Sequence, residues 1–243
     1  LAVKDGKLIR GDRSMGKDRQ ILFITGFLSK RWGNKSKALA QWCAEQGWGF
    51  CCYDVRGFGD SEGRFIDYTL SDWIADARLV LNRLKDGPPI TIVGNSLGGW
   101  IAWLMAQEYA DIERLVLIAP AFNMMGLRAQ SIAPERCHDW HTAGWMPWDD
   151  EPAHRDYPLA WKWVEESRAY WGRSFDRLRP VKTTILHGLQ DTVILPQGSN
   201  QFAEQLLARD PSFPIELNLI PGDHRLSSPE HVDRFRRLVI GTT

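Results

Sequence analysis

Along the chain, short continuous apolar runs alternate with longer stretches in which apolar residues return at helical spacing. The runs are ILFIT (21–25), GFCCYDV (49–55), ITIVG (90–94), RLVLIAP (114–120), TTILHG (183–188) and IELNLI (215–220). Unbroken Val/Ile/Leu runs of this length predict strands covered on both faces, as in a parallel sheet. A further strand is expected at KLIRGD (7–12). Between the runs, helices are predicted at 35–47, with Gly47 as the stop signal, and at 69–85, where Thr69 and Asp72 have capping-box spacing. In the second of these, Trp73, Ala77, Val80, Leu81 and Leu84 share one helical face. Helices also follow at 97–110 and 197–210. A last one opens after Ser227, Ser228 and Pro229, with Val232, Phe235, Leu238 and Val239 on its inner face.

Strand–helix alternation predicts an α/β fold: one mostly parallel, right-handed sheet with helices on both faces, spanning 1–243 as a single domain. The alternation breaks once, between Ala121 and Pro180, in a stretch rich in Trp, His, Pro and acidic residues. A structureless loop of that length does not suit a compact domain. A partly helical lid inserted at approximately 123–178 is expected instead.

The strand at 90–94 runs into Gly94-Asn95-Ser96-Leu97-Gly98, and a helix starts at once. Small residues on either side let such a turn close. It lifts the Ser96 hydroxyl above the sheet edge beside the free N–H groups and positive end of the helix. G-x-S-x-G alone occurs often, and strand before and helix after make it specific. A serine nucleophile needs an imidazole base, and the base an orienting carboxylate, in the chain order Ser, acid, His. Asp191 follows the strand at 183–188 and His224 the strand at 215–220, both at the sheet edge where Ser96 emerges. The expected catalytic group is therefore Ser96, Asp191 and His224. The competing acids are Asp54, Asp60 and Asp223; Asp54 reads as structural, and Asp223 adjoins His224 too closely to reach its Nδ1. His187 reads as a prop for the acid loop. The oxyanion of an acyl transfer needs backbone donors, assigned to the N–H groups of Leu97 and, with Gly26 allowing close approach, Phe27.

These residues resemble the α/β-hydrolase superfamily: GNSLG, HGLQD and GDH match its nucleophile, acid and base positions, and YDVRGFGDSEG (53–63) resembles its Asp-x-x-Gly-x-Gly-x-Ser loop. TGFLS, NKSKALAQWC, VGNSLGGWIAW, LHGLQD and DHR are similar to the mitochondrial acyl-protein thioesterase (depalmitoylase) branch and its bacterial relatives. The resemblance implies hydrolysis of carboxylic esters or acyl-thioesters of medium to long chain, and in that branch also of acyl glucuronides. It carries the nucleophile, acid and base roles to Ser96, Asp191 and His224 and the oxyanion hole to Phe27 and Leu97. Thr25 departs from the pattern, in which many members have His, and Asn95 from one in which a bulkier or charged residue is frequent. Cleavage of a carbon–carbon or amide bond, or ligand sensing without turnover, uses the same scaffold and stays open; a dehalogenase is disfavoured because Ser, not Asp, holds the nucleophile position.

Composition narrows the partners. Lys+Arg and Asp+Glu both number 30 in 243 residues, so nothing suggests a nucleic-acid surface. No apolar run nears the roughly 18 residues of a membrane span. The expected partner is a small-molecule or acylated-protein substrate, with no cofactor and no metal. The four cysteines, Cys43, Cys51, Cys52 and Cys137, read as free thiols. CHDWH (137–141) lacks the second ligand pair of a zinc site. WDDE (148–151) reads as an exposed charged turn. The opening residues carry no signal-peptide pattern, and the expected compartment is the cytoplasm, or the mitochondrion if a leader has been trimmed. Six of the 12 tryptophans (Trp140, Trp145, Trp148, Trp161, Trp163, Trp171) fall in the insertion. They either wall an acyl site or pack the insertion onto the body. Arg128, Arg136, Arg155 and Arg168 are candidate partners for an anionic substrate.

Overall fold

A computed structural model describes residues 1–2, 6–149 and 154–240. In chain order the body comprises β1 (Gly11–Ser14), β2 (Gln20–Ile24), α1 (Asn34–Glu45), β3 (Gly49–Tyr53), α2 (Leu70–Leu84), β4 (Ile90–Asn95), α3 (Leu97–Glu108) and β5 (Ile112–Ile118). The chain then leaves the sheet through α4 (Met124–Ser131), α5 (Pro134–Ala143), β6 (Trp145–Met146), β7 (Leu159–Ala160) and α6 (Lys162–Arg173). It returns as β8 (Lys182–Gly188), α7 (Gln197–Arg209), β9 (Ile215–Ile220) and α8 (Pro229–Ile240). One sheet has the order β1-β3-β2-β4-β5-β8-β9. All its pairs are parallel except β1 with β3. β6 and β7 form a separate antiparallel pair.

The period of two along buried strands divides the apolar residues into two cores. Ile21, Phe23, Cys52, Val93, Val116 and Ile118 face α1 and α8, meeting Leu39, Trp42, Phe235 and Val239. Leu22, Ile24, Cys51, Ile92, Leu115 and Leu117 face the other way, toward α2, α3 and α7. Cys51 and Cys52 thus point to opposite faces. Burial pushes both thiols, and that of Cys43, up to about 12, and no thiolate forms there near neutrality. α3 is apolar nearly all round, with Trp100, Ile101, Ala102, Trp103, Met105 and Ala106 buried, as a helix enclosed by neighbours must be.

The helix signals act as the sequence predicts. The Thr69 N–H donates to the Asp72 carboxylate at 2.9 Å, closing the box that starts α2. Gly47, at φ 68°, ends α1 with Trp48 N–H bonded back to Cys43 O at 2.8 Å. The first strand differs from expectation: it covers 11–14, not 7–12. The backbones of Leu8 and Arg10 bond instead to the loop after β3, while Ile9 pairs with Leu1. Arg10 N–H donates to Ser61 Oγ at 2.8 Å, and Glu62 N–H to Leu8 O at 2.8 Å. Those groups are therefore spent before a ladder with β3 begins at Gly11, opposite Tyr53.

Asp76 on α2 is buried and accepts from Arg56 N–H at 2.8 Å and Arg56 Nε–H at 2.7 Å, tying α2 to the loop after β3. Arg56 is itself 6% exposed. Removing one member of such a pair strands the other charge away from water. Asp76→Ala is expected to cost about 3–5 kcal/mol, read as a fall in the urea midpoint with an unchanged slope.

Candidate active site

The turn after β4 holds Ser96 at φ 52° and ψ −120°, where an L-residue is strained. Close packing imposes the strain. An added Cβ on Gly98 would lie 2.3 Å from Ile24 O, and one on Gly94 2.5 Å from Gly98 O, so neither place accepts a larger residue without a shift. Ser96 N–H donates to Ile118 O at 2.8 Å, and Ser96 O accepts from Gly99 N–H at 2.9 Å and Ala121 N–H at 3.0 Å. The backbone is thus clamped between β5 and α3, and the hydroxyl lies within hydrogen-bond reach of His224.

His224 lies in the loop after β9, with Nε2 at 3.2 Å from Ser96 Oγ and Nδ1 at 2.7 Å from Asp191 Oδ2. A carboxylate only accepts, so Nδ1 carries the hydrogen and Nε2 is free to receive the serine proton. The other oxygen of Asp191 accepts from the N–H groups of Val193 and Ile194, both at 2.9 Å. Oδ2 also receives His187 Nε2, at 3.1 Å. Burial opposes ionisation of Asp191. The bonds from His187, His224 and Ile194 N–H outweigh it and hold the carboxyl well below the usual carboxylate range.

The remaining sequence candidates take other places. The Asp54 carboxylate accepts from Arg31 N–H at 2.6 Å and Asp60 N–H at 3.1 Å, fixing the loop that runs to Ser61. Asp60 pairs with Arg31 at the surface. Asp223 accepts from Arg225 and Leu226 N–H at 3.0 and 3.1 Å and shapes the base loop. Three contacts had no linear signal: Lys35 Nζ donates to Arg225 O, Gln190 Oε1 accepts from Gly222 N–H, and His231 Nε2 donates to Pro221 O at 2.9 Å. They brace the His224 loop from α1, from the acid loop and from α8. Burial pulls the Lys35 ammonium down to about 8, against the attraction of Asp223.

Leu97 is the first residue of α3, so its N–H has no intrahelical partner. Phe27 N–H makes no hydrogen bond among the described residues. The turn at Gly26 passes close to the serine: an added Cβ there would lie 3.0 Å from Ser96 Cβ. The Phe27 ring is held by Phe65, Trp73, Trp148 and Trp163, with centroids 5.0–5.7 Å away.

A cavity of about 420 Å³ opens over Ser96 and His224. Its wall includes Thr25, Phe27 and Asn95 and the cationic Lys30, Lys35 and Arg225. No tryptophan is among its lining residues. The tryptophans of the β5–β8 connection mostly pack. Trp140 is buried edge-on against Trp161 and Trp163 against Trp73, the half-buried Trp171 packs edge-on on Phe175, and Trp145 is exposed. Arg128 stacks on Trp148 and donates to its carbonyl; Arg136, Arg155 and Arg168 are exposed. On α5, His141 packs on Trp161, and no cluster of three metal-ligating side chains is found among the described residues. Asp149 bonds His154 at 2.9 Å; Asp150 and Glu151 lie outside the described residues. Among the described residues no helix is long and apolar enough to cross a membrane.

The Hydrolase_4 family model, serine aminopeptidase S33, matches residues 17–144. The chain belongs to this S33 family. The match includes the Ser96 turn and stops before Asp191 and His224. Among relatives, the S33 chain is 26% identical over 218 residues to the mitochondrial palmitoyl-protein thioesterase ABHD10 of Bos taurus, across 88% of this chain and 69% of that protein. It is 27% identical over 215 residues to the Homo sapiens protein of the same name, across 87% and 68%. Solved structures with its fold include the mouse alpha/beta hydrolase domain-containing protein 10, with a TM-score of 0.86, 24% identity and coverage of 99% and 96% of the two chains. A hydrolase structure from Agrobacterium vitis S4 superposes with a TM-score of 0.87 at 26% identity, over 99% and 95%. The S33 chain therefore has the α/β-hydrolase fold, to which its mostly parallel sheet conforms.

The depressed Asp191 carboxyl has a signed consequence for stability. A group whose folded value lies below its unfolded one stabilises the fold above the unfolded value, about 3.9 for Asp, and loses that contribution as pH falls toward the folded value. Asp191→Asn is expected to lower the unfolding free energy at pH 7, with the gap to the wild type closing progressively below about pH 4 in urea titrations.

Proposed function

We propose that this chain is a serine hydrolase of carboxylic esters and acyl-thioesters, with Ser96 as nucleophile, His224 as base and Asp191 as its orienting acid. The observation that carries the reading is the continuous hydrogen-bonded line from Ser96 Oγ through His224 to Asp191, at 3.2 and 2.7 Å, on a strained strand-to-helix turn. His224 Nε2 takes the hydroxyl proton as Oγ bonds to the substrate carbonyl carbon. The N–H groups of Phe27 and Leu97 receive the negative oxygen. His224 then hands the proton to the departing thiol or alcohol, and the acyl group stays on Ser96. Water, deprotonated by His224, releases the acid and restores the hydroxyl. Each transfer is assigned to a side chain, and the cycle needs no cofactor.

The relatives named palmitoyl-protein thioesterase support an acyl group of medium to long chain and an acylated-protein or small-molecule substrate. The cationic rim of Lys30, Lys35 and Arg225 suits the hydrophilic portion of that substrate. We read the insertion at approximately 123–178 as a lid within a single domain. Two of its tryptophans, Trp148 and Trp163, seat it on Phe27 and Trp73 beside the oxyanion donors.

A fluorophosphonate probe is expected to label the wild type at Ser96, found by peptide mass spectrometry, and to leave Ser96→Ala unlabelled. In a panel of p-nitrophenyl esters and acyl-thioesters of increasing chain length, Asp191→Asn should lose about 10⁴ in kcat and His224→Ala about 10⁶. Absence of labelling on folded wild-type protein sinks the reading.

A further inference from the structure

The carboxylate that orients His224 is shared. His187, on β8, is fully buried, and its Nε2 lies 3.1 Å from Asp191 Oδ2, the same oxygen that receives His224 Nδ1–H at 2.7 Å. Nε2 of His187 is also 2.9 Å from Ile194 O. Both neighbours only accept, so Nε2 carries a hydrogen. Nδ1 is 2.8 Å from Ser199 Oγ in the first turn of α7, whose hydroxyl hydrogen can point to it. In the neutral Nε2–H tautomer Nδ1 accepts from Ser199, and the single Nε2 hydrogen is shared between Asp191 Oδ2 and Ile194 O as a three-centre bond.

We infer that His187 is a positioning residue that tunes the basicity of His224 by taking part of the negative charge of Asp191 Oδ2. This rests on the triad reading. With Val193 and Ile194 N–H on Oδ1 and two imidazole donors on Oδ2, Asp191 accepts four hydrogen bonds. That uses the roughly four lone-pair sites a carboxylate has. Each donor stabilises the ionised acid and leaves less charge to stabilise a proton on His224. The His187 donor thereby favours neutral His224, the form that accepts the serine proton. Other charged groups surround the pair: Asp223 and Arg225 on the base loop, Lys35 from α1 and Lys30 from the β2–α1 loop. None of these side chains is hydrogen-bonded to His187, and Leu removes the Nε2 donor that Gln keeps, so the Leu–Gln difference reports that donor.

The experiment compares the rate of fluorophosphonate labelling against pH for wild type, His187→Leu and His187→Gln. Gln places an amide N–H near the position of Nε2. Loss of the donor makes Asp191 more basic and His224 easier to protonate. The acid-side midpoint of the His187→Leu profile should therefore move up by about half a unit or more, while His187→Gln stays near the wild type. A purely structural residue would lower the melting temperature and the labelled fraction without moving the midpoint. A folded His187→Leu variant with the wild-type midpoint overturns the inference. If that variant does not fold, ¹⁵N spectra of the wild type decide: hydrogen on His187 Nε2 and a bare Nδ1 at pH 7 support it, and the reverse tautomer overturns it. Failure of the wild type to label at all would instead strike the triad reading, on which the spectra do not depend.

Discussion

A single buried carboxylate holds the functional edge of this protein together. Asp191 receives two backbone N–H groups from its own loop, one imidazole from the strand below it and one from the loop after β9. A buried anion is costly unless its oxygens are satisfied, and four donors supply that. Those donors also set the path of the acid loop and the orientation of His224. Ser96 is held separately, by a turn packed too closely for any residue larger than glycine at positions 94 and 98. The site is thus two rigid parts, a strained turn and a saturated carboxylate, with one imidazole spanning the gap.

Both parts stand at the C-terminal ends of parallel strands. β4, β8 and β9 each run out of the sheet at that edge, and the separation of the apolar residues into two cores locks their register. A slip of one residue in β8 would move Ile185 to the face that holds Leu186 and Leu186 to that of Ile185. It would also carry the loops bearing Asp191 and His224 away from each other. Core packing and site geometry therefore share one constraint.

The β5–β8 connection shows how far pattern reading reaches. Its wealth of tryptophan marks it as something other than a solvated loop, yet wall and packing surface have the same composition. In the fold, Trp163 N–H finds Tyr68 O at 3.1 Å and Trp140 N–H finds Leu159 O at 2.9 Å, so these rings serve as anchors with satisfied polar ends. The cavity at Ser96 is bordered by Lys30, Lys35 and Arg225, residues with no common motif in the chain.

What could be read from the linear chain was whatever depends on neighbours in sequence: buried strands from unbroken apolar runs, the Thr69–Asp72 cap, the stop at Gly47, and the strand–Ser96–helix junction. The order of Ser96, Asp191 and His224 was legible because a parallel sheet sends every strand end to the same edge. The first strand was misplaced because Leu8 and Arg10 bond to Ser61 and Glu62, more than fifty residues away, a competition that leaves no local trace. The same holds for the braces on the His224 loop and for the convergence of His187 and His224 on one oxygen. Such contacts arise from distances between backbones set by the whole sheet, and periodicity carries no information about them.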